Sequence, residues 1–151
     1  MALPTKLTLE IVTPDRSLVR EEVDEVQLPG ADGYFGVLPG HTPLLGTLQV
    51  GELWYRKGQE KIYLVVAFGF AEVLPDRVTI LAQLAERAEE IEVERAEAAL
   101  ARASKRLDDK SDVDYTRARI ALMKSMTRLQ VSSRIASGAG PRLKRVRAEG
   151  S

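Results

Sequence analysis

Apolar and polar residues alternate from near the start of the chain. Leu7, Leu9 and Ile11 are separated by polar side chains, a period of two that predicts a strand with one buried face. Val26 and Leu28 continue the pattern, and Leu53 and Tyr55 alternate with Glu52, Trp54 and Arg56. Ile62 to Phe70 is a run rich in β-branched and aromatic residues, and Val78, Ile80 and Leu81 close the series. Turn signals fall between these runs at Pro14-Asp15, Pro29-Gly30, Asp32-Gly33, Pro39-Gly40, Lys57-Gly58 and Pro75-Asp76. Short strands punctuated this regularly predict an antiparallel β-sandwich or barrel.

The period changes near Ala82. From there to Ile135 the chain has no glycine or proline, and Ala, Glu, Arg and Leu dominate. Val93, Ala96, Leu100, Ala103 and Leu107 recur at spacings of three and four, which predicts one helical stripe. The run Asp108-Asp109-Lys110-Ser111 interrupts it, and Ser111 followed by Asp114 resembles an N-terminal capping box. Tyr115, Ala118, Leu122, Met126 and Leu129 form a second stripe. The short connection makes the two helices an antiparallel pair. Their alanine-rich faces allow close approach but bury little area, so the hairpin is expected to be weakly held and able to detach. The predicted fold class is α+β: a sandwich over residues 1–84, a helical hairpin over 85–136, and a basic tail over 137–151.

Composition sharpens this picture in three places. Hydrophobic residues make up 44% of the 151, but aromatics only 5%, so the core must be aliphatic. Lys+Arg and Asp+Glu balance at 22 each, so overall charge selects no class of partner. The tail, with four basic residues and one acidic, reads as a solvated extension, and no nucleic-acid partner is expected. The absence of cysteine excludes disulfides, thiolate metal sites and thiol nucleophiles. No apolar run approaches the ~20 residues that span a bilayer, so no direct membrane insertion is expected.

Candidate chemistry is sparse. His41 is the one histidine, with no second ligand to build a zinc site, so no metal is expected. Gly36 to Thr42 has glycine and threonine but lacks the lysine and spacing of a phosphate loop. Glu86, Glu89, Glu90, Glu92, Glu94 and Glu97 gather where the first helix begins, and Arg102, Lys105 and Arg106 gather at its end, complementing the helix dipole. No catalytic residues and no required cofactor follow from these patterns. The segment LPGADGYFGVLPGHTPLL, Leu28 to Leu45, admits two readings: a set of tight structural turns, or a rigid loop presenting Tyr34 and Phe35 to a partner.

Four stretches carry a resemblance: Leu9-Glu10-Ile11-Val12-Thr13-Pro14-Asp15; Gly36-Val37-Leu38-Pro39-Gly40-His41-Thr42-Pro43-Leu44; Phe68-Gly69-Phe70-Ala71-Glu72-Val73 with Val78-Thr79-Ile80-Leu81-Ala82; and Asp114-Tyr115 with Arg117-Ala118 and Ala121-Leu122. In order, and with a sandwich-then-hairpin layout, the chain resembles epsilon subunits of bacterial F-type rotary ATP synthases over residues 4–134. The resemblance implies about ten strands followed by two helices, in a non-catalytic subunit of the central stalk. It implies three partners: a gamma subunit, a membrane-embedded c-ring, and the alpha/beta catalytic head. The chain would then lie on the cytoplasmic face of the bacterial plasma membrane, held there by the complex. Asp32, Tyr34, Phe35, His41, Thr42 and Leu44 fall on the surface the resemblance turns toward gamma and the c-ring. Tyr34 stands where relatives often have an acid.

Some bacterial relatives bind ATP on the folded hairpin through an I/L-D-x-x-R-A motif. The matching residues here are Ile91, Glu92, Arg95 and Ala96, with Glu86, Arg102, Lys124 and Arg128. Glu92 lengthens the motif's acidic arm, and Lys124 replaces an arginine fork with a point charge. ATP is thus the expected regulatory ligand. The resemblance also implies that an extended hairpin enters the catalytic head and inhibits ATP hydrolysis, with Arg117, Arg119, Lys124, Arg128 and Arg134 as contacts. The rival reading is a free-standing nucleotide-sensing adaptor.

Overall fold

The computed structural model describes residues 3–108 and 114–136, which form eight strands, a 3-10 turn and two helices. The strands are β1 (Leu7–Val12), β2 (Ser17–Val23), β3 (Glu25–Gly30), β4 (Gly33–Val37), β5 (Leu44–Thr47), β6 (Gly51–Lys57), β7 (Glu60–Leu74) and β8 (Arg77–Arg87). The turn is Ala88–Glu90, and the helices are α1 (Val93–Asp108) and α2 (Tyr115–Ala136). Hydrogen bonding joins the strands in the order β2-β1-β8-β7-β6-β3-β4, with β5 pairing to β7. All pairs are antiparallel except β1 with β8.

The sheet folds over into two layers around one aliphatic core. Leu7, Leu9 and Ile11 of β1 are fully buried, as the alternation predicted, and they share that core with Val26, Leu28, Leu53, Leu64, Val73, Val78 and Ile80. Two long strands carry the chain from one layer to the other. In β7 the core-facing residues are Leu64 and Val66 before the bend but Ala71 and Val73 after it, a switch from even to odd positions. Phe68 and Gly69, both at positive φ (59° and 107°), make that switch. A one-residue change of phase sends every later side chain to the other face. The partner β8 switches too, from Val78, Ile80 and Ala82 to Ala85. Because β7 and β8 each serve both layers, eight strands do the work of the ten expected.

Three strands were not predicted. β2 holds Leu18 and Val19 side by side within a charged stretch, so no alternation shows, while β4 and β5 lie within the Gly/Pro-rich segment. The domain boundary also differs. β8 pairs with β7 through Leu64↔Arg87, so the strand runs past residue 84, and α1 starts at Val93 rather than 85. The alanines at 82, 85 and 88 are buried against the sheet, so packing overrides their helical propensity.

The helices pair through Ala96 and Ala103 of α1 and Ala118 of α2, all buried. Asp114 caps α2 directly, its Oδ1 accepting from Arg117 N–H at 3.2 Å. Ser111, the expected cap, lies outside the described residues, as does the tail 137–151. Tyr115 and Met126 of the expected second stripe are exposed, while Ser125 and Val131 are buried. Ser125 is satisfied within the helix, its hydroxyl donating to Ala121 O at 2.9 Å. α2, rather than α1, lies on β6, β7 and the 88–90 turn. Its apolar contact with the sheet is small: Val131 meets Tyr63, Val65 and Ala88, with Trp54, Leu84 and Ile91 at the margin.

Candidate functional site

The end of β8, the turn after it and both helices enclose a cleft of about 490 Å³. It is lined by Glu86, Glu90, Ile91, Glu92, Arg95, Ala96, Ala99, Arg102 and Arg128, a volume within the usual range for small-molecule sites. Arg95, Ala99 and Arg102 are spaced by four and three along α1, so the helix turns them to one side. α2 contributes Arg128, and β8 contributes Glu86 through the extension past residue 84. Three arginines and three glutamates thus line the cleft, together with the apolar Ile91, Ala96 and Ala99.

The charges are tied into the frame. Arg128 donates to Glu86 from Nε at 3.0 and 3.1 Å and from Nη2 at 2.5 Å, a forked pair joining α2 to β8. Glu90 accepts from Arg16 Nη1 at 2.9 Å and Nη2 at 2.5 Å, and from the Arg87 N–H at 3.3 Å. The hydrogen bond from Arg16 holds the Glu90 carboxyl below the usual glutamate range, and Glu90 in turn raises Arg16. This pair pins the turn that leads into Ile91 and Glu92 to the loop before β2.

Of the eight residues predicted around nucleotide, the cleft brings together Glu86, Ile91, Glu92, Arg95, Ala96, Arg102 and Arg128. Lys124 is not among its lining; its Nζ lies 6.0 Å from the centroid of the Phe68 ring. Glu90 and Ala99 were missed. Ala99 was legible from its helical spacing to Arg95 and Arg102, whereas Glu90 needed the true end of β8.

Five arginines and lysines were expected to reach a catalytic head. Arg117 and Arg119 are exposed. Arg134 donates from Nε to Glu52 Oε2 at 3.1 Å and from Nη2 to Oε1 at 3.2 Å, and its guanidinium lies 5.2 Å from the Tyr63 ring. The hydrogen bond to Glu52 raises the Arg134 pKa. Of the residues expected to meet gamma and the c-ring, Asp32, Thr42 and Leu44 are exposed, and His41 Nδ1 lies 2.6 Å from Thr42 O. Tyr34 is 53% exposed. Phe35 is turned partly into the core instead, its Cε1 2.9 Å from where a β-carbon on Gly30 would stand, so it is no free anchor. Exposed Leu38 and Leu45 extend the apolar surface.

This architecture matches a described family over residues 6–133. Residues 6–88 match the family described as ATP synthase, Delta/Epsilon chain, beta-sandwich domain, and residues 89–133 match its long alpha-helix domain. The chain belongs to the ATP synthase Delta/Epsilon chain family. Among its relatives, "ATP synthase epsilon chain 2" of Syntrophotalea carbinolica is 51% identical over 131 residues, covering 85% of this chain and 95% of the relative. The "ATP synthase epsilon chain" of Solibacter usitatus is 50% identical over 133 residues, covering 87% and 99%. The fold is shared with a chain in the Euglena gracilis mitochondrial ATP synthase OSCP/F1/c-ring structure, at a TM-score of 0.68 and 24% identity over 91% of this chain and 84% of that one. A chain of the Tetrahymena thermophila mitochondrial ATP synthase central stalk/c-ring structure aligns at 0.56 and 12% identity, covering 89% and 98%. Among the described residues of this Delta/Epsilon chain no helix is long and apolar enough to cross a membrane.

Proposed function

We propose that the chain is a rotor subunit of a bacterial ATP synthase whose helical hairpin regulates the motor by docking on and leaving the sandwich. The sandwich sits against the gamma subunit and the c-ring, meeting them through the surface that carries Asp32, Tyr34, His41, Thr42 and Leu44. The complex holds it at the cytoplasmic face of the plasma membrane. ATP is the regulatory ligand of the docked hairpin. The undocked hairpin presents Arg117, Arg119, Lys124, Arg128 and Arg134 to acidic surface of the catalytic head and blocks hydrolysis. Family membership supports this reading over a free-standing adaptor.

The observation that carries the ligand assignment is the cleft built jointly by β8, α1 and α2. Arg95 and Arg102 are exposed and available to phosphate, and Ile91, Ala96 and Ala99 give the base an apolar floor. The cleft exists only while α1 stays paired with α2 and α2 stays docked on the sandwich, so a ligand there favours the docked form. At a hundredfold excess over Kd it does so by about 2.7 kcal/mol. Among the described residues, docking rests on one small apolar cluster, two ion pairs and the contacts of Lys124 and Arg134 with aromatic rings, a balance that a shift of this size can move.

Isothermal titration with ATP tests the assignment. Intact chain is expected to give saturable heat, and Arg95→Ala to weaken binding about 10–100-fold, the loss of one charge-assisted contact. Identical titrations for the two proteins would remove the site.

A further inference from the structure

We propose that Tyr34 is a positioning residue for the Glu52–Arg134 ion pair, so that the β4 edge and the docked state of α2 meet at one residue, Glu52, held by its backbone on one side and by its carboxylate on the other. The inference rests on the movable-hairpin reading above and adds a control point remote from the nucleotide cleft.

Glu52 is one of two buried polar or charged residues among those described, at 7% exposure. On β6, Leu53 and Tyr55 point into the sandwich core, which turns Glu52 and Trp54 to the opposite face. Their partners across β7, Val65 and Tyr63, belong to the cluster that α2 covers. The carboxylate therefore lies under the helix, and α2 brings Arg134 to both of its oxygens. The pair forms only when α2 is docked. It is thus a contact that differs between the two states, which is what an element must have to bias such an equilibrium.

Tyr34 holds Glu52 from the backbone side. β3 pairs with β6 at Glu25↔Arg56, Val26↔Tyr55 and Gln27↔Trp54 and no further, so that ladder stops short of Glu52. The phenol oxygen of Tyr34 stands in for the missing carbonyl, accepting the Glu52 N–H at 3.3 Å. Gly51 makes the approach possible: a β-carbon there would lie 2.7 Å from the Tyr34 hydroxyl oxygen and 2.6 Å from Pro29 Cβ. Tyr34 itself is on β4, at the end of the sheet's strand order, and is 53% exposed as a residue. A partner surface seated on its ring would contact the same side chain that fixes the backbone of Glu52. The hydroxyl, absent from phenylalanine and from an acid of shorter reach, is what holds the Glu52 backbone.

Trp54, the sequence's one tryptophan, packs at the margin of the docking cluster and reports whether α2 covers it. Acrylamide quenching of its fluorescence is to be measured in the full chain, in Arg134→Gln, in Tyr34→Phe and in the double variant, with circular dichroism confirming the fold. Tyr34→Phe keeps the ring and loses only the hydroxyl. Arg134→Gln is expected to raise the quenching constant about twofold and Tyr34→Phe about 1.5-fold, and Tyr34→Phe is expected to add nothing once Arg134 is gone, since both act through Glu52. A full additive effect in the double variant, or no effect of Tyr34→Phe beside a clear effect of Arg134→Gln, would overturn the positioning role and leave the movable hairpin standing. No change in any variant would overturn both. ATP heats, read separately, belong to the nucleotide assignment.

Discussion

Val131 of α2 is fully buried, and an arginine three residues to either side of it holds a glutamate of the sandwich. Arg128 grips Glu86 and Arg134 grips Glu52, so a single apolar residue is flanked by two forked ion pairs. Such pairs give register more than net stability, because desolvation offsets much of their attraction. The Arg16–Glu90 pair differs in being closer to solvent and in serving the cleft's rim. Its pH response has a definite sign. The folded-state Glu90 carboxyl titrates below its ordinary value, about 4.3, because Arg16 donates to it. Its stabilising contribution is therefore complete above that ordinary value and is lost as pH falls through the lower folded value. Urea midpoints of the intact chain and Glu90→Gln should differ near pH 6 and draw together as pH falls below the ordinary glutamate range; a constant gap would contradict the pairing. Residue types at the cleft were legible beforehand because Arg95 and Arg102 lie on one helix and spacing alone sets their common face. The partners of Arg134 and the inward turn of Phe35 were not, because each depends on a residue distant in sequence.

At the scale of elements, the bend in β7 decides most. Gly69 has φ of 107°, and a β-carbon there would stand 1.9 Å from Leu81 O, so backbone conformation and space both demand glycine. Gly58, at φ 62°, faces open space. Gly69→Ala is expected to lower unfolding free energy by roughly 3 kcal/mol or more, and Gly58→Ala by about 1 kcal/mol. Urea denaturation measures both, and equal losses would show that the β7–β8 approach is not the constraint. Strands with clean alternation, β1 and β6, were readable from the chain, since one face is buried and the other is not. β2, β4 and β5 were hidden for different reasons: Leu18 and Val19 are buried as neighbours at an irregular edge, and the other two are short pieces between tight turns. The extension of β8 to Arg87 was masked by alanine and glutamate, helix formers that pairing with β7 holds extended.

For the whole molecule, the main core draws its residues from Leu7 to Ala85 and takes none from the helices. The sandwich should therefore fold without them. Truncation after Ile91 is expected to leave a cooperative thermal transition, with a midpoint lower by about 5–10 °C through loss of the Val131 contact and the two ion pairs. Loss of cooperative folding would show that the hairpin is structural rather than regulatory. By itself the sequence determined the succession of a strand region and a helical hairpin, the aliphatic core and the arginine-bearing face of α1, because hydrophobic periodicity and helical spacing are local properties. Tertiary structure alone decided where β8 ends, which helix lies on the sheet and which carboxylate each arginine meets. Those outcomes come from pairings between residues far apart in the chain, whose relative placement no local pattern encodes.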